Sequence, residues 1–426
     1  MKKVLIITYY WPPAGGPGVQ RWLKFIKYLR DFEIEPIVYI PKNPDYPILD
    51  TTLVNEIPKG ITILEKSIFE PYFLANLFSK KETKTISSGV ISEEKKQNFL
   101  QKVFLYIRGN FFIPDARKFW IKPSVKFLND YLAENLIDTI ITTGPPHSLH
   151  LIGLELRKKN SIKWFADFRD PWTEIGYHKK LKLSASAKAK HIALEKEVLN
   201  TADHIITTSF TTQKEFSLKT SKPITVITNG YDSIENIETE LDYKFTIAHI
   251  GSLLSGRNPE NLWRVLKELL SENEEFKKDF VLKLVGTVSE DVINTLKKFE
   301  LNSNLEIKGY VSHNEAYRTQ HSSQVLLLIE IDSEETKGII PGKLFEYISA
   351  KRPIIAIGPK DWDVKNIIEN TDTGNYFTYQ DSANLKRQVL DYYHQYKIKQ
   401  LKINSKNIEQ YSRKNLTKVL ANLLKE

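Results

Sequence analysis

Short apolar runs alternate with longer amphipathic stretches along most of the chain, and the rhythm starts afresh after a polar stretch at 231–244. Apolar runs of this length are typical of parallel strands that are buried on both faces, and the stretches between them have helical spacing. The alternation therefore predicts an α/β fold made of two open, doubly wound parallel sheets. The predicted strands are 3–10, 35–40, 60–65, 138–144, 163–169, 203–209 and 224–230 in the first set, and 245–252, 280–286, 305–311, 324–331 and 353–358 in the second.

Length and composition agree with two globular domains. The 426 residues exceed the roughly 100 to 200 of one domain, and 41% hydrophobic with 27% charged residues is ordinary for a folded chain. The sequence has no cysteine, which excludes disulfides, thiolate metal sites and cysteine nucleophiles. The apolar N-terminal run is too short for a signal peptide, and no stretch reaches the roughly 18 apolar residues of a membrane span, so a cytoplasmic location is expected.

The net charge of +9 permits anionic partners, namely nucleic acid, acidic lipid headgroups or phosphorylated small molecules. The sequence has no helix-turn-helix, zinc-finger or RNP-like signature, which argues against nucleic acid.

Residues 69–134 fit the strand–helix rhythm least well and leave two interpretations open. They form either a surface that contacts a membrane or a lipid-linked acceptor, or a helix pair packed on the N-terminal sheet. Basic and aromatic residues favour the former: Phe104, Tyr106, Arg108, Phe111, Phe112 and Lys118.

A glycine-rich turn follows the first predicted strand and contains Gly15, Gly16 and Gly18. At the carboxyl end of a parallel strand, such a turn lets bare backbone and a helix N-terminus approach an anionic ligand. The spacing is not G-x-G-x-x-G, and no acidic residue ends the run at 35–40 to hold a ribose, so a dinucleotide cofactor is disfavoured. The alternative is that the turn only reverses the direction of the chain. Arg21 in the following helix is expected to be a charged surface residue.

Two segments of the second half indicate a diphosphate site. In AHIGSLLSGRNPENLWRVL, Gly251 and Ser252 follow a strand, and Arg257 precedes a predicted helix. A small residue, a cation and a helix N-terminus at one strand end are suited to binding a diphosphate. In ETKGIIPGKLFEYISAKRPIIAIG, a glycine loop precedes Lys343 and Glu346, which share one helical face. A surface ion pair is the alternative for these two residues.

Together these segments resemble the retaining GT-B glycosyltransferases of glycosyltransferase family 4. The resemblance covers nearly the whole chain, and its specific part is the pair HIGSLLSGRNPENL and IPGKLFEYISAKRPIIAIG. It implies two Rossmann-like domains that face a cleft, an acceptor-side domain at 1–232 and a nucleotide-sugar domain at 233–404. It also implies that 405–426 forms a helix that crosses back to the N-terminal domain.

The resemblance implies roles for residues of the second domain. Glu346 matches the glutamate that binds the nucleotide ribose, and Arg257 matches the basic residue on the diphosphate. Ser252 stands where many members have an arginine, a charge that Lys343 can replace. Gly338 occupies the position of the first glutamate of E-x7-E, so contacts to the donor sugar fall to backbone amides of 338–342 or to Glu334 and Glu335. The predicted donor-binding residues are Gly15, Gly16, Gly251, Ser252, Arg257, Gly338, Gly342, Lys343, Leu344 and Glu346, with Gly15 and Gly16 on the opposite wall of the cleft.

In the first domain, His147 of GPPHS matches the histidine that meets the transferred sugar. Asp167, Arg169 and Asp170 of ADFRDPW end another strand on the predicted acceptor side, and Asp167 or Asp170 is expected to orient the acceptor hydroxyl or His147. The alternatives are a structural histidine, a turn-forming Asp170 and a plain Arg169–Asp170 pair. The predicted catalytic residues are His147, Asp170, Arg257 and Lys343.

The resemblance implies transfer of a sugar, with retention, from a nucleoside-diphosphate sugar to a hydroxyl of a glycan or lipid-linked acceptor in cell-surface polysaccharide synthesis. The main chemical demand is stabilisation of the departing diphosphate by cations and amides. No D-x-D motif stands at a strand end, so no metal and no cofactor are predicted. A non-catalytic nucleotide-sugar-binding module, which would explain Gly338, and an NAD-dependent enzyme are the alternatives. The basic surface suits attachment to the inner face of the plasma membrane.

Overall fold

The structure is a computed structural model that describes residues 1–70, 99–174, 176–179, 181–232 and 239–426. The chain divides into two compact units. The first consists of Met1–Thr228 together with Arg413–Glu426, and the second consists of Asn229–Ser412.

Seven parallel strands form the sheet of the first unit: β1 Lys2–Ile7, β2 Ile34–Lys42, β3 Thr62–Ser67, β4 Thr139–Gly144, β5 Lys163–Phe168, β6 His204–Thr207 and β7 Ile224–Val226. Their order is β3-β2-β1-β4-β5-β6-β7, so the direction of winding reverses between β1 and β4. Ligands of doubly wound sheets bind beyond the carboxyl ends of the strands at such a reversal. The turn at 15–18 and the GPPHS segment follow these two strands.

Helices of the first unit cover both faces of this sheet in the doubly wound manner: α1 Pro17–Leu29, α2 Phe99–Phe111, α3 Ile121–Asn135, α4 Ser148–Lys159, α5 Gly176–Lys179, α6 Ala185–Thr201 and α7 Phe210–Ser217. Helix α1 begins directly after Gly16, with Pro17 at its first position, where a missing backbone N–H costs nothing.

The second unit has six parallel strands: β8 Phe245–Ile250, β9 Phe280–Val285, β10 Leu305–Lys308, β11 Val325–Ile329, β12 Ile354–Ile357 and β13 Gly374–Phe377. Their order is β10-β9-β8-β11-β12-β13, with the reversal between β8 and β11. The helices of this unit are α8 Glu260–Glu272, α9 Glu274–Asp279, α10 Glu290–Lys298, α11 His313–Ser322, α12 Lys343–Ser349, α13 Asp363–Thr371 and α14 Ser382–Lys397.

Edge strands account for the differences between this sheet topology and the sequence analysis. The short, only half-apolar β13 was not predicted, because an edge strand needs no continuous apolar run. Strands β3 and β10 were predicted to be buried, but most of their residues are exposed, because each lies at the edge of its sheet.

The last helix, α15 Arg413–Lys425, belongs to the first unit. It packs on α1, and its Leu420 and Leu424 share a core cluster with Trp22 and Ile26 of that helix. The backbone carbonyl of Leu424 also accepts a hydrogen bond from Lys2 Nζ at 2.9 Å. Both ends of the chain thus stabilise the same core.

The 69–134 segment contains α2 and α3, while its serine-rich middle at 71–98 lies outside the described residues. Helix α3 packs against α4, and its Val125, Leu128 and Leu132 are buried in the core beside Trp120. Helix α2 contacts α6 but keeps an exposed apolar stripe. No helix in the described part of the chain is long and apolar enough to span a membrane.

Candidate functional site

A glycine turn and a buried cation meet at the carboxyl end of β8. Gly251 has a left-handed backbone, with a φ of 120°. A Cβ at this position would lie 2.6 Å from Lys343 Nζ, so the ammonium rests against the bare Cα of the turn. Both the positive φ and the close approach require glycine. Ser252, at the position where the family resemblance has an arginine, follows Gly251 directly, so the Lys343 ammonium lies next to this position.

The Lys343 ammonium contacts His249, a buried residue of β8. His249 Nδ1 lies 3.0 Å from the carbonyl oxygen of Leu327, which can only accept, so Nδ1 carries the proton. The other ring nitrogen, Nε2, lies 3.4 Å from Lys343 Nζ and accepts from it. Burial, followed by the charge of Lys343, lowers the pKa of His249 well below its ordinary value, which keeps the ring neutral.

The pKa of Lys343 is lowered to about 8, mainly by burial and then by the nearby charge of Arg257. Glu330 and Glu346 oppose this shift. Arg257 precedes α8 and makes a forked ion pair with Glu330, with Nε to Oε1 at 3.0 Å and Nη2 to Oε2 at 3.1 Å. The Glu330 side chain is completely buried at the end of β11, whereas 29% of the Arg257 side chain is exposed. One carboxylate and two cations therefore lie together at this strand end.

Glu346 lies one turn after Lys343 on α12 and is partly exposed. Its Oε2 accepts a hydrogen bond from Gln320 Nε2 at 2.9 Å, and its Oε1 lies 3.9 Å from His313 Nε2. Glu346 thus contacts two side chains of α11, and its negative charge also acts on the pKa of Lys343.

The loop before α12 offers backbone donors. The N–H of Ile339 donates to the Thr336 carbonyl, but within the described residues the N–H groups of Gly338, Ile340 and Gly342 have no hydrogen-bond acceptor. The space where a Cβ of Gly342 would stand is open.

Leu344 differs from the other predicted donor-binding residues, because its side chain is completely buried in the core and its N–H donates to the Pro341 carbonyl.

His249 and Glu330 were missed by the sequence analysis. Each is a polar residue at or near the end of an otherwise apolar strand run, FTIAHI and VLLLIE. A polar side chain in a strand buried on both faces must have a buried partner, and this pattern could have identified both residues.

In the first unit, Gly16 directly precedes α1 and has a φ of 97°. A Cβ at Gly15 would lie 2.9 Å from Ile48 Cγ2, so the turn packs tightly on the segment after β2. A Cβ at Gly18 would overlap the Arg169 guanidinium, which also donates to the backbone carbonyls of Gly144 and Pro145. Arg169 therefore ties the ends of β4 and β5 to the glycine turn.

Asp167, at the end of β5, is completely buried and binds Arg21. Arg21 Nη2 donates to Oδ1 at 2.8 Å, and Oδ2 accepts from Arg21 Nε at 3.3 Å, Trp22 Nε1 at 2.8 Å and Thr143 Oγ1 at 2.8 Å. The expectation that Arg21 is surface charge is wrong, since only 5% of the residue is exposed. Burial raises the pKa of Asp167, but Arg21, Thr143 and Trp22 outweigh it and hold this pKa below its ordinary value.

His147 precedes α4 and is stacked on Trp172, with ring centroids 4.9 Å apart and planes 4° apart. It is 4% exposed, yet neither ring nitrogen has a hydrogen-bond partner in the described part of the chain. Burial lowers the pKa of His147 well below its ordinary value, and the neighbouring His150 adds to this effect. The ring is therefore neutral, with one donor and one acceptor unused.

Asp170 follows at the turn after β5 and is half-buried. Burial raises the pKa of its carboxyl, and Arg169 opposes this rise. The side chain of Asp170 makes no hydrogen bond to any residue for which the structure gives a position.

The structure thus groups the predicted residues within each unit. In the second unit it brings together Gly251, Ser252, Arg257 and Lys343, with Glu346 one turn further on. In the first unit the charge of Arg169 acts on both His147 and Asp170. Among the described residues, no cluster of three or more histidine, aspartate or glutamate side chains could hold a metal ion.

No family model matches the sequence, and no curated protein matches it either. Solved structures match over the full length at low identity. They include a sucrose-phosphate synthase from Thermosynechococcus elongatus, with 13% identity, a TM-score of 0.58 and coverage of 100% of this chain and 98% of that chain. The lipopolysaccharide outer core galactosyltransferase WaaB has 14% identity, a TM-score of 0.58 and 100% coverage of both chains.

A putative UDP-N-acetylglucosamine 2-epimerase from Listeria monocytogenes is similar as well, with 11% identity, a TM-score of 0.54 and coverage of 99% of this chain and 96% of that chain. Because transferases and an epimerase share the architecture, the likeness shows the fold and leaves the reaction open. The two Rossmann-like parallel-sheet domains of the GT-B fold, which the sequence predicts, are confirmed.

Proposed function

We propose that the chain is a retaining, metal-independent glycosyltransferase that moves a sugar from a nucleoside-diphosphate sugar to a hydroxyl of a glycan or lipid-linked acceptor. The observation that carries the proposal is the meeting of Lys343, Arg257 and the left-handed Gly251 at the carboxyl end of β8. Two cations beside bare backbone at a strand end suit a diphosphate. The resemblance to family 4 and the GT-B fold support the same function.

In the proposed reaction, the bond between the anomeric carbon and the diphosphate oxygen breaks and a bond to the acceptor oxygen forms on the same face. The acceptor hydroxyl gives its proton to the departing diphosphate. Arg257 and Lys343 stabilise the negative charge that develops on this leaving group, which is the largest electrostatic demand of the step. Glu346 binds the ribose hydroxyls, and the free N–H groups of Gly338, Ile340 and Gly342 bind the donor sugar in place of the missing first glutamate.

We assign the acceptor side to the first unit. Neutral His147 has a ring donor and a ring acceptor with no partner among the residues that the structure describes, which suits a sugar hydroxyl. The Asp170 carboxyl makes no hydrogen bond within the described residues and orients the acceptor hydroxyl, while Arg169 positions the turns around it. Asp167 is saturated by Arg21, Trp22 and Thr143, so its proposed part is to position the end of β5. Of the two glycines predicted to bind the donor, Gly16 has an open Cβ position that leaves its backbone accessible to a ligand, whereas Gly15 is covered by Ile48 and donates its N–H to the Ile48 carbonyl.

A non-catalytic nucleotide-sugar-binding module is the second candidate, and the specific observation in its favour is Gly338 at the position of the first glutamate. Both candidates require the same diphosphate site. They differ in turnover, because only the transferase consumes donor.

Donor screening followed by turnover assays tests the proposal. Thermal-shift screening with UDP, GDP and ADP sugars identifies the donor, and calorimetry with the matching nucleoside diphosphate then measures its affinity. Arg257→Ala should weaken this affinity at least tenfold, whereas Arg264→Ala on the exposed side of α8 should leave it unchanged. Unchanged affinity in Arg257→Ala contradicts the diphosphate site. If the wild type binds a nucleotide sugar but neither hydrolyses nor transfers it, and so behaves like Glu346→Ala in turnover, the non-catalytic binding module is favoured.

We further propose that the chain acts at the cytoplasmic face of the plasma membrane through α2. Four apolar side chains at helical spacing are exposed on this helix: Val103, Tyr106, Ile107 and Phe111, the last of them 63% exposed. Phe119 is exposed as well, its ring centroid lies 6.2 Å from that of Phe112 directly after α2, and Lys118 lies over its ring. Aromatic and basic side chains on one surface suit an anionic lipid interface. Tyr106→Ser with Phe111→Ser should reduce sedimentation with anionic liposomes; equal sedimentation of variant and wild type argues against membrane contact.

A further inference from the structure

The forked pair between Arg257 and Glu330 leaves most of the guanidinium available. Glu330 accepts from Nε and Nη2 of Arg257. A guanidinium has five N–H donors in one plane, and among the described residues no side chain or carbonyl accepts from the two hydrogens of Nη1 or from the second hydrogen of Nη2. One hydrogen of each of these nitrogens lies on the outer Nη1–Nη2 edge, next to the edge that Glu330 occupies, and these two donors can bind two phosphate oxygens in the same forked geometry.

Glu330 itself is rigidly held. It directly follows β11, in the centre of the second sheet next to β8, and its side chain is completely buried. Its Oε1 also accepts from the backbone N–H of Ile331 at 2.9 Å, and its backbone carbonyl accepts from the Tyr379 hydroxyl at 2.9 Å. Arg257, by contrast, lies on the loop before α8 and is partly exposed, so its own backbone does not fix the guanidinium.

We propose that Glu330 is a positioning residue that orients Arg257 for the leaving diphosphate. The carboxylate does not touch the ligand, and it acts by fixing the Nε–Nη2 edge of the guanidinium so that the outer Nη1–Nη2 edge points to the phosphates at the glycine turn. This inference rests on the proposed function, because it needs a diphosphate at Gly251. It adds a residue outside the motifs that carry the family resemblance.

Glu330 lowers the entropic cost of diphosphate binding, because it fixes the Arg257 side chain before the ligand binds. An arginine side chain that moves freely loses conformational entropy when a ligand fixes it, and this loss opposes binding. The buried carboxylate also repels phosphate, so its removal has two opposing effects on affinity. Comparison of the same substitution with and without Arg257 separates them, because the repulsion is present in both backgrounds and the positioning only in one.

The test is a double-mutant cycle with Glu330→Gln and Arg257→Ala, measured by calorimetry with UDP and GDP. In the Arg257 background, Glu330→Gln should be at least five-fold more harmful to affinity than in the Arg257→Ala background. Equal effects in both backgrounds would overturn the positioning role while leaving the diphosphate site intact. If the wild type binds none of UDP, GDP and ADP, the proposed function fails instead.

Arg257→Lys gives an independent measurement that does not depend on folding of the Glu330 variant. Lysine keeps the charge but cannot be held by a fork, so the nucleotide affinity should fall about as far as in Glu330→Gln. Wild-type affinity in Arg257→Lys would contradict the proposal. Thermal unfolding of Glu330→Gln should be close to that of the wild type, because the partly exposed Arg257 can be hydrated when its partner is lost. A large loss of stability with unchanged affinity would instead show a purely structural pair.

Discussion

At the scale of single residues, each cation at the glycine turn owes its position to a buried polar side chain of a neighbouring strand. His249 of β8 accepts from Lys343, and Glu330 at the end of β11 accepts from Arg257. A buried polar group destabilises the fold unless it is hydrogen-bonded. His249 and Glu330 each have such partners, so they hold the two cations in fixed positions, although they place polar groups in an otherwise apolar core. The consequences are testable at Gly251 and at Lys343.

Gly251→Ala should damage the site directly. Alanine at a φ of 120° is strained by about 1–3 kcal/mol, and its Cβ would lie 2.6 Å from Lys343 Nζ. We expect a lower unfolding temperature and at least a tenfold loss of nucleoside-diphosphate affinity. Gly309→Ala is the matched control, because nothing lies within 4 Å of that Cβ position. Wild-type affinity in Gly251→Ala would show that Lys343 does not use this approach.

Nucleotide binding should depend on the charge of Lys343. Because its pKa is lowered to about 8, the ammonium form predominates below this pH and the neutral amine above it. The affinity for UDP or GDP should therefore fall as the pH rises through 8. The unfolding free energy shows the opposite trend, since the folded state gives up this proton before the unfolded state does, and stability rises between pH 8 and about 10.4. Lys343→Arg stays charged and should flatten the calorimetric profile; a wild-type profile in that variant would exclude Lys343 as its source.

At the scale of elements, the buried Arg21–Asp167 pair joins α1 to β5 next to β4. The side chains are 1% and 0% exposed, so neither charge can be hydrated if its partner is removed. This pair fixes the glycine turn, from which α1 starts, relative to the ends of the two strands that carry His147 and Asp170.

Asp167→Asn should cost about 3–5 kcal/mol of unfolding free energy, because Arg21 is left as an uncompensated buried charge. The measurement is urea unfolding at neutral pH. Glu197→Gln breaks the exposed pair with Lys158 and should cost less than about 1 kcal/mol. The combined variant Arg21→Met with Asp167→Leu should be more stable than Asp167→Asn alone. If Asp167→Asn unfolds like Glu197→Gln, the pair is not as tightly buried as the structure shows.

At the scale of the whole molecule, the first unit is discontinuous in sequence. The chain completes the first sheet, forms all of the second unit, and returns as α15 to pack on α1. The first unit therefore cannot complete its core until the last residues of the chain are present.

Leu420→Ala should destabilise the first unit, although the substitution lies near the end of the chain. Leu420 is 1% exposed in the cluster with Trp22 and Ile26, and such a truncation costs about 2–5 kcal/mol. The neighbouring Val419 is 46% exposed, so Val419→Ala should change stability by no more than about 0.5 kcal/mol. Urea unfolding followed by the fluorescence of the tryptophans distinguishes the two; equal midpoints would contradict the packing of α15 on α1.

The sequence by itself determined the two doubly wound sheets, because strand and helix periodicity is a local property of short windows. It also located the glycine turns and Arg257, Lys343 and His147, since each stands directly after a strand or before a helix. Only the tertiary structure decided which charges are paired. Arg21 and Asp167 are 146 residues apart, and Arg257 and Glu330 are 73 apart. A partner so distant leaves no periodic signal, so burial and pairing emerge only when the sheet brings the strand ends together.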